Sequence, residues 1–317
     1  MQIFKALEAL LTFPTIWNQY PQHSVKIISD INLKNENVAH QEFRPVVIWH
    51  GLGDQYNSTG IHKAAEILDD FYPGIFVYSV YLDLDPEKDQ KKSLFGDANV
   101  ELEQVCEQLA TIPELKQGFD LIGFSQGGLF LRALVERCSD VNVNNLITFG
   151  SPHLGVLELP MCENPGDWVC RRRNELLKKQ VWFDSVQKRV IPAQYFRDPV
   201  NYNQYLLHSN FLVNVNNERP LSFNSSYKNN LQKLNKLVLF QFTRDTTLVP
   251  KETAWFIDFD VSGTSIPFEK SKIYVQDLIG LKELHLNDKI DFKAIDTDHM
   301  VISEAVLHEI AEKYLGK

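Results

Sequence analysis

The sequence predicts an α/β fold: a mostly parallel central sheet with helices on both faces, interrupted in its second half by a helical insertion. Three observations carry this. Short β-branched apolar runs at 46–49, 75–80, 119–122 and 146–149 alternate with segments of helical period. One of these runs passes through a glycine-bounded turn directly into a helix, over 119–138. The chain's 317 residues, 44% hydrophobic and 11% aromatic, suffice to bury one large core. The expected organisation is a lead-in over 1–43 and a single domain over 44–317, with residues 151–236 inserted into it.

The lead-in opens on residues 1–17, where a weakly apolar stretch, 6–16, is broken by Glu8 and Pro14. It reads equally as a poor signal peptide and as an amphipathic helix. Residues 18–42 are polar and asparagine-rich around one short apolar run. Val46-Val47-Ile48-Trp49 is too short for a helix and suits a buried parallel strand, ending in His50-Gly51-Leu52-Gly53-Asp54. The segment 61–71 has helical period, 75–80 returns to a strand and 100–109 reads as a second helix. Phe119-Asp120-Leu121-Ile122 is the next strand, Gly123-Phe124-Ser125-Gln126-Gly127-Gly128 a tight turn, and 129–138 a helix with Leu129, Ala133 and Leu134 at helical spacing. Leu146-Ile147-Thr148-Phe149 ends in Gly150-Ser151-Pro152-His153. From 151 to 236 the rhythm fails, leaving helix-like pieces at 173–179 and 227–234, and an insertion of this kind forms a lid and part of a substrate wall. Strands resume at 237–242, ending in Thr243-Arg244-Asp245, and at 289–295, ending in Asp296-Thr297-Asp298-His299. An amphipathic helix over 304–315 closes the sheet's flank.

The pattern G-x-S-x-G between a strand and a helix is a nucleophile elbow, a corner so sharp that its neighbours must be nearly side-chain-free. The alternative is an ordinary glycine-rich turn. Ser125 is the candidate nucleophile, and the glycine-flanked loop 50–54 is where an α/β-hydrolase keeps half of its oxyanion hole, so the amides of Leu52 and Gln126 are the candidate donors. Such enzymes present serine, acid and histidine in that chain order. Ser125, Asp245 and His299 follow it, each just past a strand end. His153 is a competing base but precedes the acid candidates; Asp296 and Asp298 are competing acids but adjoin His299 on one tight loop. His50 reads as a buttress of the oxyanion turn, and the remaining histidines as surface or packing residues.

Other chemistry is not signalled. The net charge of -9 leaves no footprint for nucleic acid, and Arg171-Arg172-Arg173 reads as a solvated helix face. No apolar run approaches the roughly 18 residues of a membrane span. No Cys/His cluster has zinc spacing and no phosphate loop is present, so neither metal nor cofactor is implied. Cys106, Cys138, Cys162 and Cys170 allow three pairings. Sequons at Asn57 and Asn224 are compatible with a lumenal protein.

Taken together, His50–Asp54, Gly123–Gly128, the Asn-Asn-Glu-Arg of 216–219, the stretch 224–231, the Gln-Asp-Leu-Ile-Gly-Leu-Lys-Glu of 276–283 and Asp298-His299 make the chain similar to the palmitoyl-protein thioesterases, over residues 45–316. These are lysosomal enzymes that remove long fatty acyl groups from cysteine. The resemblance implies Ser125 as nucleophile, Asp245 as acid, His299 as base and the amides of Leu52 and Gln126 as oxyanion donors. It also implies disulfides joining Cys106 to Cys138 and Cys162 to Cys170, a glycan on Asn224, and a lysosomal, vacuolar or secretory lumen. Substrates would be S-acylated proteins or peptides and long-chain acyl thioesters, met by a monomer, with Leu248, Val249 and Trp255 in the wall of the acyl groove. The sequence departs from the family at Gln55-Tyr56-Asn57-Ser58, where an adjacent cysteine pair is usual, and at the more polar Thr246-Thr247, which leaves chain-length preference open. An oxygen-ester lipase or esterase is the alternative activity, and a silent lipid-binding protein on the same scaffold a remoter one.

Overall fold

The computed structural model describes residues 42–158 and 178–317. Its strands are β1 (Val46–Trp49), β2 (Val77–Ser79), β3 (Phe119–Phe124), β4 (Val143–Phe149), β5 (Lys236–Phe242), a small antiparallel ribbon of β6 (Asp258–Phe259) and β7 (Ser265–Ile266), and β8 (Ile290–Ile295). Six of them form one parallel sheet in the order β2-β1-β3-β4-β5-β8. The pleat sends alternate residues to opposite faces. Val47, Trp49, Leu121, Leu146 and Leu239 enter one buried cluster, while Val46, Ile48, Ile122, Ile147 and Val238 enter the other. Both faces are covered, so the strands read as continuous apolar runs.

Helices α1 (Thr59–Phe71) and α12 (Glu304–Tyr314) cover the second face, tied together where the Tyr72 hydroxyl donates to the Ala311 carbonyl at 3.0 Å. The first face is covered by α3 (Ala98–Ala110), α4 (Gln126–Arg137) and the inserted helices. Between β2 and α3 stands α2 (Pro86–Lys92), which the sequence reading does not anticipate because it has no apolar stripe. Its first turn is made by Asp85, whose side chain accepts from the amides of Glu87 and Lys88 at 3.1 and 3.4 Å, followed by a proline suited to that position. The structure also begins α4 at Gln126, immediately behind Ser125, three residues earlier than the apolar spacing indicates.

Among the described residues the insertion holds single turns and short helices: α5 (Asp184–Gln187), α6 (Ile191–Gln194), α7 (Tyr202–His208), α8 (Leu212–Val215) and α9 (Ser225–Leu231). Beyond β7 lie α10 (Lys272–Val275) and α11 (Leu281–Leu286). Buried Arg197 pins the insertion to the body, donating to Asp258 at 2.6 and 2.9 Å and to Glu218 at 2.9 Å. A disulfide joins Cys106 on α3 to Cys138 at the end of α4. The lead-in up to residue 41, Cys162 and Cys170, the Arg171–Arg173 run and most of the 173–179 piece lie outside the described residues. Among the described residues no helix is long and apolar enough to cross a membrane.

Candidate active site

The carboxyl ends of β1, β3, β5 and β8 deliver the loops that make the site. Directly after β3, Ser125 takes φ 50 and ψ -121, a backbone state that a side-chain-bearing residue adopts only when its surroundings enforce it. They do so here. The Ser125 amide donates to the Phe149 carbonyl at 2.8 Å, and its own carbonyl accepts from the Gly128 amide at 3.1 Å. A Cβ on Gly127 would stand 2.3 Å from the Trp49 carbonyl oxygen and 2.4 Å from that of His50, both backbone atoms that cannot yield. Only glycine lets α4 pack this close to the end of β1.

His299 lies in the turn after β8 and Asp245 in the turn after β5. His299 Nδ1 stands 2.5 Å from Asp245 Oδ2, and His299 Nε2 is 3.0 Å from Ser125 Oγ. With the carboxylate accepting from Nδ1–H, Nε2 is left as the acceptor of the serine hydroxyl. The other oxygen of Asp245 accepts from the amides of Thr247 and Leu248 at 2.8 and 2.9 Å, so the fully buried carboxylate has a partner on each side. The ring of Phe242 meets His299 edge-on.

The competing residues are engaged elsewhere. Asp296 accepts from the Thr243 hydroxyl at 2.5 Å, and exposed Asp298 faces Arg244 at 3.8 Å. His153 is buried, stacked on Phe256 and paired with the Thr148 hydroxyl at 3.0 Å; burial, aided by Arg132, holds its pKa well below the usual histidine range.

On the oxyanion side, loop 50–54 closes on the nucleophile: a Cβ on Gly51 would come within 3.1 Å of Ser125 Cβ. Among the described residues neither the Leu52 nor the Gln126 amide donates to a protein acceptor. The Gln126 amide is one of the free donors at the start of α4. Behind the loop, buried His50 has Nδ1 3.0 Å from the Gly51 carbonyl oxygen and Nε2 3.2 Å from Asp89 on α2. Burial opposes a charge on His50, but the hydrogen bond and charge of Asp89 outweigh it and its pKa ends above the usual value. Asp89 is held in turn by the amides of Tyr56 and Leu82 at 2.8 and 2.7 Å. Its signal in the sequence was Asp85-Pro86, a helix cap followed by a first-turn proline.

Leu248 is buried in the core beside Asp245, and the Val249 carbonyl accepts from the Leu157 amide at 2.8 Å. The Trp255 indole donates to the Leu239 carbonyl at 2.9 Å and its ring meets Phe292 edge-on. Asn224 is exposed, and its Oδ1 caps α9 by accepting from the Ser226 amide and hydroxyl at 3.0 and 2.7 Å. Exposed Asn57 is hydrogen-bonded to His62.

Comparison with known proteins adds a family. The family model described as Palmitoyl protein thioesterase matches residues 45–299, a span that includes every residue of this constellation. Palmitoyl-protein thioesterase 1 of Caenorhabditis elegans is 37% identical over 276 residues, covering 85% of this chain and 91% of that protein. Palmitoyl-protein thioesterase 3 of Dictyostelium discoideum is 33% identical, covering 81% and 85% respectively. Lysosomal thioesterase PPT2 of Homo sapiens is 28% identical, covering 76% and 77%. On the matched span and the first of these relatives, the chain belongs to the palmitoyl protein thioesterase family.

Proposed function

We propose that this protein hydrolyses long-chain acyl thioesters, releasing fatty acid from the cysteines of S-acylated proteins or peptides. The observation that carries the reading is the hydrogen-bonded line from Asp245 through His299 to Ser125, in a chain of this family. Ser125 Oγ attacks the acyl carbon as its proton passes to His299 Nε2, and Asp245 stabilises the resulting imidazolium. The amides of Leu52 and Gln126 hold the oxyanion. The thiolate departs, taking up the proton from His299, and a water deprotonated by His299 then cleaves the acyl-enzyme. A thiol of pKa about 8.5 leaves far more readily than an alcohol, so acylation needs little acid assistance.

The acyl chain lies beneath the 151–236 insertion, with Leu248, Val249 and Trp255 as wall residues, in a protein that acts as a monomer. An oxidised Cys106–Cys138 pair and relatives named as lysosomal thioesterases support a lysosomal or other lumenal compartment, where Asn224 would carry a glycan.

The test compares a C16 thioester, its oxygen ester and a C4 thioester with wild type and Ser125→Ala. We expect preference for the C16 thioester and loss of several orders of magnitude in kcat with Ser125→Ala. Preference for the oxygen ester or the C4 substrate would replace this reading with that of an esterase.

A further inference from the structure

We infer that Ser93, just past the end of α2, is a positioning residue for the oxyanion hole, holding both of its amide-bearing segments at once, and that Tyr195 extends this hold to the insertion. The inference rests on the assignment of Leu52 and Gln126 as oxyanion donors.

Ser93 is buried and uses every polar atom of its side chain. Its Oγ accepts from the Gly53 amide at 2.8 Å and donates to the Gln90 carbonyl at 2.6 Å, while Gln90 Nε2 returns to the Gly53 carbonyl at 2.6 Å. The peptide following Leu52 is thus bound at its N–H. The preceding peptide is bound at its carbonyl, where Gly51 faces His50 Nδ1. A trans peptide is planar with its N–H and C=O opposed, so fixing the Gly51 carbonyl aims the Leu52 amide the other way.

The second half of the hole is tied to the same residue. Gln126 contributes its main-chain amide to the oxyanion, and its buried side chain donates from Nε2 to the Ser93 carbonyl at 2.9 Å. Gln126 Oε1 accepts from the Tyr195 hydroxyl at 3.0 Å. Tyr195 sits just past α6 in the insertion and is buried, and burial pushes its phenol well above the usual value, so it stays a donor. One hydrogen-bonded chain therefore runs Tyr195, Gln126, Ser93, Gly53, from the insertion to the loop that would bind the reacting carbonyl. Oxyanion donors act only when aimed at the place where charge develops, so a residue that aims two of them affects the transition state and not substrate binding.

The experiment measures kcat and KM on a soluble thioester for wild type, Ser93→Ala, Ser93→Thr and Tyr195→Phe, with melting temperatures to establish folding. It adds the inhibition constant of a long-chain alkyl trifluoromethyl ketone. In that adduct Ser125 Oγ bonds to the carbonyl carbon, its proton goes to His299 and the carbonyl oxygen becomes the oxyanion. We expect Ser93→Ala to lower kcat about 10-fold, short of the 100- to 1,000-fold of losing a donor outright. KM should stay within about twofold, and the ketone constant should rise by the same factor as kcat falls. Tyr195→Phe, which removes one oxygen and keeps the ring, moves the same quantities about threefold, and Ser93→Thr, which keeps the hydroxyl, recovers most of the loss. If Ser93→Ala does not fold, Tyr195→Phe decides. Wild-type kcat and ketone binding in the folded variants, or a raised KM at unchanged kcat, overturns the inference. Wild-type turnover by Ser125→Ala would instead overturn the catalytic assignment beneath it.

Discussion

In the proposed reaction His299 accepts a proton from one neighbour while another keeps its ring from turning, and its two nitrogens divide these tasks. Asp245 matters through the tautomer it selects. In Asp245→Asn the side-chain oxygen can still accept from the Thr247 and Leu248 amides, while the new NH2 faces His299 Nδ1 and forces that nitrogen to act as acceptor. The hydrogen then sits on Nε2, pointing at Ser125 Oγ, where an acceptor is needed. We predict a loss in kcat on the order of 1,000- to 10,000-fold with a folded protein and a nearly unchanged KM, measured by steady-state kinetics. Retention of more than a tenth of the activity would assign the carboxylate a lesser part. These three residues were legible in the sequence because each closes a strand and their order is dictated by the sheet. His50 was legible as a buttress, but not its partner Asp89, since that contact joins a loop to a helix with no shared pattern in sequence.

Elements were legible in proportion to how far apolar periodicity makes them. The strands could be read because both sheet faces are buried, and α1, α3 and α12 because each lays one face on the sheet, whereas α4, buried along nearly all its length, showed through the glycine turn before it and the spacing of Leu129, Ala133 and Leu134. Helix α2 could not, since a cap and the buried Asp89 hold it rather than an apolar stripe. Most of the insertion could not either, apart from the piece at 227–234 that overlaps α9: the helices α5 to α9 run four to seven residues, too short for a 3.6-residue period to show well, and the anchor is the polar cluster of Arg197, Glu218 and Asp258. The disulfide acts at this scale. It joins α3 to the end of α4 across 32 residues of sequence, and closing that loop in the unfolded chain is worth about 3–4 kcal/mol. We predict that Cys106→Ser with Cys138→Ser lowers unfolding free energy in urea by that amount, while kcat of the folded fraction changes by less than about twofold. A large fall in kcat at native stability would show that the bridge also shapes the elbow.

The whole molecule carries several acids whose pKa burial raises. Burial, reinforced by Asp97, raises the Glu101 pKa to about 9; burial raises Glu136 to about 7 against the pull of Arg132, and Asp120 to about 6 against Asn144 and Arg44. A group whose folded pKa is raised binds more protons folded than unfolded, so its stabilisation is complete below the unfolded value and is lost as pH climbs through the folded one. His50 acts with the same sign. His62 and His153, both lowered mainly by burial, act oppositely, but only below about 6.5, where an unfolded histidine charges. The two sets offset one another in mild acid and only the first remains above neutrality. We predict that the melting temperature falls from pH 7 to pH 9, and that Glu101→Gln, which mimics the neutral acid, flattens the decline. An unchanged slope in that variant would assign the loss to other groups.

Ser125 and His299 stand 174 residues apart in sequence, and the base arrives only on the loop after the outermost strand, β8. A domain folds as a unit, and β3, which leads into Ser125, and β8, which leads into His299, belong to one sheet. The serine and the imidazole therefore come within reach of each other only when the sheet is complete to its last strand. A chain that ends before residue 299 would hold Ser125 without the ring that stands 3.0 Å from it.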